Sequence, residues 1–139
     1  MRYSSEFPLR IVMADDDPDD RLMAKDAFDE CTSVDCVGFV EDGELLLALL
    51  RQLEPLPRLI LLDWNMPRKN GRETLMELKA DRALSSVPTV VLTTSSDPND
   101  IEAAIALGAE GFMIKPITFE GLVAFAEEMV VRYAPEAAL

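Results

Sequence analysis

The sequence contains no histidine. That absence removes Ser-His-Asp and Cys-His nucleophilic catalysis, histidine-ligated zinc and any phosphohistidine carried by this chain itself. Cysteine is nearly as scarce. Cys31 and Cys36 are the only two, their spacing fits neither a zinc knuckle nor a redox CxxC, and they read as buried structural thiols suited to a reducing cytosol. Basic residues are half as many as acidic ones, 13 Lys+Arg against 26 Asp+Glu, which leaves a formal charge of -13. A surface of that sign repels phosphate backbones and anionic lipid, so neither nucleic acid nor a membrane surface is expected as a partner. The longest apolar run, Leu45 to Leu50, is far short of a membrane span, and the opening MRYSSEFPLR lacks the apolar core of a secretion signal. The expected location is the cytoplasm.

What is present is enough for one core. Of 139 residues, 49% are hydrophobic and 28% charged, the mix of a single globular domain. At this length roughly two-thirds of the unfolded surface can be buried, so neither a disulfide nor a structural metal is needed. A single domain is expected over residues 1–139, with its core about 9–133, a short amino-terminal extension and a short frayed tail, APEAAL.

Short apolar runs alternate with segments of helical period, the pattern of βα units around a parallel sheet. The strand candidates are Leu9 to Ala14, Asp35 to Val40, Leu59 to Leu62, Thr89 to Thr93 and Gly111 to Ile114. Helices are expected from Pro18-Asp19, from about Glu44 to Leu53, Arg72 to Asp81 and Asp100 to Leu107, the last ended by Gly108, and from about Thr118 to Tyr133.

In open α/β sheets, ligands bind beyond the carboxyl ends of the strands. Those ends carry Asp15-Asp16-Asp17, Asp63, Thr93-Thr94 and Lys115-Pro116. Crowded carboxylates repel unless they share a cation, and all-oxygen ligands select a hard metal, with magnesium the natural candidate. Lys115 would offer a compact charge to phosphoryl oxygens and the Thr93 hydroxyl a hydrogen bond. Asp63 could then be a nucleophile that accepts phosphoryl. A carboxylate closing the apolar run LILLD is costly unless exposed or paired.

The segments ADDDPDD, LLDWNMPRKNG, VVLTTS and FMIKP, in that order and spacing, resemble the receiver domain of two-component response regulators over about Leu9 to Tyr133. The resemblance implies a flavodoxin-like, doubly wound, five-stranded parallel sheet of order 2-1-3-4-5 with five helices. It implies that Asp63 is the phosphoacceptor and that Asp15 and Asp16 are the acidic pair of a Mg2+ site. Asp16 would be a direct ligand, and Asn65 would add its backbone carbonyl. Thr93 matches the switch hydroxyl, Phe112 the switch aromatic without a hydroxyl, and Lys115 the family's lysine, with Pro116 after a cis bond. Three consecutive acids leave Asp16/Asp17 as a second possible pair. A narrower likeness is to the small single-domain regulators that work with phytochrome-type sensor kinases.

Two other readings compete. A haloacid-dehalogenase-like phosphatase also uses an early Asp-x-Asp, a Thr and a Lys, but it needs a further acidic motif after the lysine. A receiver-fold interaction module would keep the fold without phosphorylation. The favoured expectation is a single-domain response regulator, not an enzyme beyond its own phosphotransfer and autodephosphorylation. Its phosphoryl donor is a histidine kinase or phosphotransfer protein acting in trans, and its output passes to a downstream protein target. A homodimer through helix 4, strand 5 and helix 5 is also expected. Phe119, Leu122, Val123, Phe125, Ala126, Met129, Val130 and Tyr133 span roughly 160° of the last helix, against the ~100° a helix needs for its own core.

Overall fold

A computed structural model describes residues 8–94 and 97–134. The MRYSSEF extension, Ser95 of VVLTTS with Ser96, and the PEAAL end of the tail lie outside the described residues. Five strands, β1 (Leu9–Ala14), β2 (Val34–Val40), β3 (Leu59–Asp63), β4 (Thr89–Thr93) and β5 (Gly111–Ile114), alternate with five helices. These are α1 (Pro18–Asp29), α2 (Gly43–Gln52), α3 (Gly71–Ala80), α4 (Pro98–Ala106) and α5 (Phe119–Tyr133). The sheet is parallel throughout, in the expected order β2-β1-β3-β4-β5.

Burial follows position in the sheet. The central β3 and β4 are buried at every residue, whereas the edges β2 and β5 are half-exposed, as strands covered on both faces and strands at a rim should be. Alternate side chains then divide between two cores. Val12, Ile60, Leu62 and Val91 meet α2, α3 and α4. Leu9, Met13, Leu61 and Leu92 meet α1 and α5 through Phe28, Leu122, Phe125 and Met129. Each helix begins with a side chain that accepts orphan N–H groups of its first turn: Asp17, Asp42, Asn70, Asp97 and Thr118 in turn. Asp97 starts α4 before the expected Asp100 because Pro98, with no N–H to satisfy, suits the first helical position.

Two expectations change. The broad apolar arc of α5 is mostly core: Leu122, Phe125, Ala126, Met129 and Val130 are all buried, because α5 packs against both the sheet and α1. Phe125→Asp would therefore place a charge in the core rather than probe an interface. The bond before Pro116 is trans, since Glu54–Pro55 is the only cis bond among the described residues. Trans is favoured by about 0.5–1 kcal/mol in X–Pro, and the Lys115 N–H carries the β4–β5 ladder one step further to the Thr93 carbonyl at 2.8 Å. The two thiols are half-buried and free. Both are thus less buried than expected, yet burial chiefly pushes Cys36 up to about 12, which leaves little reactive thiolate.

Candidate functional site

All the expected strand-end residues arrive at one edge, each fixed by a backbone element. The Asp15 N–H donates to Val40 O at 2.9 Å, which seats Asp15 at the end of β1 between β2 and β3. Its carboxylate is fully buried: Oδ1 accepts from Asp17 N at 3.0 Å, and Oδ2 lies 2.7 Å from Lys115 Nζ. Asp63 closes β3, nearly buried, with Oδ1 accepting from Asn65 N at 3.3 Å and Oδ2 3.4 Å from the same ammonium. Carboxylate oxygens of Asp15, Asp16 and Asp63 lie within 4.8 Å of one another. Asp17 turns away from that cluster to cap α1, accepting from Asp19 N at 2.9 Å and Asp20 N at 3.4 Å. Of the two acidic pairs open in the sequence, the geometry groups Asp15 and Asp16 with Asp63.

The electrostatics are those of a cleft short of positive charge. Burial raises the Asp63 carboxyl to about 6, helped by Asp15 and opposed by Lys115 and the Asn65 N–H. Burial alone would lower Lys115, but the carboxylates of Asp15, Asp20 and Asp63 outweigh it and hold the ammonium well above its usual range. Asp15 Oδ2 is buried and close to Nζ yet makes no hydrogen bond of good geometry. A hard divalent cation fits that unsatisfied oxygen and the all-oxygen donor set around it.

The open cleft holds about 280 Å³ and is lined by Asp16, Asp17, Asp20, Asp63, Asn65, Thr94 and Lys115. Thr93 is fully buried beneath it. By strand alternation it shares the α3/α4 face with Val91, and Val91 pairs with Phe112 on β5. Phe112 is half-buried and stands edge-on to Trp64, ring centres 6.3 Å apart at 70°, so the aromatic touches the residue directly after Asp63.

Asp20 is a cleft residue that the strand-end reading did not name, and Thr94 one that it named without a role. Asp20 belongs to the first turn of α1, and a helix starting at a strand's carboxyl end brings its first turn back over that edge. Its acidic type at a helix start was the available signal, and it is equally well explained by the helix dipole.

The loop from Trp64 to Asn70 is pinned at both ends. Gly71 N donates to Trp64 O at 3.0 Å, and Gly43 N donates to Lys69 O at 3.1 Å. Arg68, in the left-handed region at φ 59, donates through Nε to the buried Asp42 Oδ2 at 2.6 Å. Burial alone would raise Asp42, but the Leu45 N–H and the Arg68 guanidinium outweigh it and hold the carboxyl below its usual range. The β3–α3 and β2–α2 loops are thereby stapled together.

The roles of Asp16 and Asp17 separate by measurement. Asp16→Asn should weaken Mn2+ or Mg2+ binding by at least tenfold while leaving stability near neutral, since an exposed carboxylate placed to hold the ion is lost. Asp17→Ala should cost about 1 kcal/mol of stability as a lost cap and leave the metal affinity within about twofold. Titration calorimetry beside thermal melts reads both, and the reverse pattern would shift the acidic pair one residue along.

Sheet order and helix placement put the chain in the flavodoxin-like, doubly wound α/β class. Within it the chain belongs to the response regulator receiver domain family, whose model matches residues 11–127. It is 33% identical over 120 residues to the response regulator Rcp1 of Synechocystis sp., covering 83% of this chain and 82% of that one. It is 32% identical over 129 residues to the probable methanogenesis regulatory protein FilR2 of Methanothrix harundinacea, covering 90% and 83%. Among solved structures it is similar to the phosphorylated cyanobacterial phytochrome response regulator RcpA. That match has TM-score 0.80, 29% identity, and covers 93% of this chain and 99% of that one. The Mn2+-bound form of Rcp1 matches at TM-score 0.77 and 29% identity, covering 95% and 99%. Family membership sets aside the dehalogenase-type phosphatase. No helix among the described residues is long and apolar enough to cross a membrane.

Proposed function

We propose that this chain is a cytoplasmic response regulator that takes a phosphoryl group from the phosphohistidine of a partner kinase or phosphotransfer protein onto Asp63. The observation that carries the reading is Asp63 at a strand end, 3.4 Å from Lys115 and within 4.8 Å of two further carboxylates. A carboxylate oxygen of Asp63 attacks phosphorus, the P–O bond forms as the P–N bond to the donor's imidazole breaks, and that nitrogen leaves with the electron pair. Lys115 neutralises charge on the transferred oxygens. In a separate later step, water attacks phosphorus and gives its proton to solvent, the P–O bond to Asp63 breaks, and Asp63 leaves as carboxylate. Magnesium held by Asp15, Asp16, Asp63 and the Asn65 carbonyl would supply the remaining positive charge when bound. RcpA was solved phosphorylated and Rcp1 with a divalent ion, which supports carrying both features over. Likeness to RcpA, a cyanobacterial phytochrome response regulator, supports a phytochrome-type sensor kinase as donor. Acetyl phosphate with Mg2+, followed on a phosphate-affinity gel, tests the reading: a chain that takes no phosphoryl from it or from any histidine kinase is an interaction module only.

The switch follows from Thr93, buried beneath the cleft, and the half-buried Phe112. Phosphoryl on Asp63 draws the Thr93 hydroxyl toward it, and Phe112, on the same face, turns into the space left, a shift between two packed states. The signal reaches α4 and β5, where Ile101, Ile105 and Ile114 are exposed by 37%, 50% and 55%. That apolar surface supports a homodimer through α4, β5 and α5, or docking of the downstream protein target. Sedimentation at tens of micromolar should show dimer on phosphorylation. Thr93→Ala should still accept phosphoryl yet shift toward dimer at least fivefold less. A wild type that stays monomeric in both states removes the dimer, and an unimpaired Thr93→Ala removes Thr93 from the switch.

A further inference from the structure

Three carboxylates share the Lys115 ammonium: Asp15 at 2.7 Å, Asp20 at 3.0 Å and Asp63 at 3.4 Å. Asp15 and Asp63 have roles in the proposed function. Asp20 has none, although it reaches the lysine from across the cleft, 95 residues away in sequence. The shortest well-formed hydrogen bond of Nζ runs to Asp20, while Asp15 Oδ2 is near but badly angled and Asp63 Oδ2 is the most distant. The resting ammonium is thus aimed at α1 more than at the phosphoacceptor.

We propose that Asp20 is a positioning residue that holds the Lys115 ammonium toward α1, competes for it with a phosphoryl group on Asp63, and so shortens the life of the phosphorylated state. The inference rests on Asp63 being the phosphoacceptor. A phosphoryl group brings nearly two negative charges and three acceptor oxygens beside Asp63. Lys115 has three donors and one charge to divide among them. Asp20 opposes the phosphorylated state in two ways of the same sign: it retains part of the ammonium, and its own charge repels the phosphoryl in a partly desolvated cleft. A cavity of about 110 Å³ beside the pair, walled by Met13, Met23, Pro116 and Leu122, touches both Asp20 and Lys115. Asp20, Asp63 and Lys115 also line one open cleft, so the ammonium can shift between the two carboxylates along it.

The test compares Asp20→Asn, which keeps shape and drops the charge, with Asp20→Glu, which keeps the charge. At saturating Mg2+, Asp20→Asn should lengthen the half-life of acetyl-phosphate-labelled protein and tighten beryllium trifluoride binding, each about fivefold. Trp64, the chain's single tryptophan and next to Asp63, reports the binding by fluorescence. Asp20→Glu should return both values toward wild type. A purely structural role would lower the melting temperature and move neither upward. If folded Asp20→Asn matches the wild type, or loses phosphoryl faster, Asp20 is not a competitor, while labelling of the wild type leaves the phosphoacceptor reading standing. If the wild type takes up neither phosphoryl nor beryllium trifluoride, that reading fails first and this one with it.

Discussion

Asp63→Asn is expected to abolish labelling by acetyl phosphate or a cognate kinase, by at least a hundredfold, while the fold survives and becomes more stable in the absence of metal. The amide keeps the shape and the acceptor for the Asn65 N–H, but it is no longer a nucleophile. The stability gain follows from the direction of the Asp63 shift. Burial first, then Asp15, raise its pKa from 3.8 to about 6 against the pull of Lys115, so between those values the folded state holds more proton than the unfolded one. Stability is then lost as pH rises from about 4 through 6, and the cost remains in full at neutral pH. Asparagine carries no charge to desolvate, so metal-free Asp63→Asn should melt a few degrees above wild type at pH 7, and the difference should vanish below pH 4. Wild-type labelling at limiting metal should rise with pH through about 6 as the carboxyl ionises. Undiminished labelling of Asp63→Asn would move the phosphoacceptor elsewhere.

What could be read in the sequence is what a local pattern determines. An apolar run ending in a polar or charged residue, as LILLD does, marks both a buried strand and a candidate functional end, and four such ends, two of them acidic, pointed to the candidate site. Strand order was not readable from periodicity, and the motif resemblance supplied it. Tertiary geometry decided the rest. Asp20 looks like any acidic residue of a first helical turn until α1 packs against α5 and that turn meets Lys115 at the end of β5. The arc of α5 looked wider than one core requires because hydropathy does not count how many neighbours a helix has, and α5 has both the sheet and α1. Asp42 and Arg68 lie 26 residues apart in separate loops, and no spacing rule pairs them. Three consecutive acids could not settle their own register. The fold groups Asp15 and Asp16 with Asp63 and uses Asp17 as the cap of α1, which supports the first pair.

Gly71→Ala should be the most damaging single methyl in the protein's functional loop. A Cβ at Gly71 would lie 2.6 Å from the Asp63 carbonyl oxygen and 2.6 Å from Trp64 Cα, with Trp64 O at 3.0 Å. All three atoms are backbone, so no rotamer change relieves the clash. The strand end that carries Asp63 and the first turn of α3 would have to separate, which breaks the Gly71 N–H bond to Trp64 O. A loss of about 3 kcal/mol is expected from overpacking of this kind, seen as a melting temperature lower by roughly ten degrees. Labelling and metal affinity should fall further than the unfolded fraction explains, because the displaced backbone bears both Asp63 and the Asn65 carbonyl. Gly111→Ala is the control: its Cβ would meet only Val90 Cγ2, at 4.0 Å, an ordinary contact on an edge strand, and should leave stability within about 0.5 kcal/mol. If Gly71→Ala melts with the wild type and labels at the same rate, the close approach of α3 to the strand end is not what holds the Asp63 loop in place.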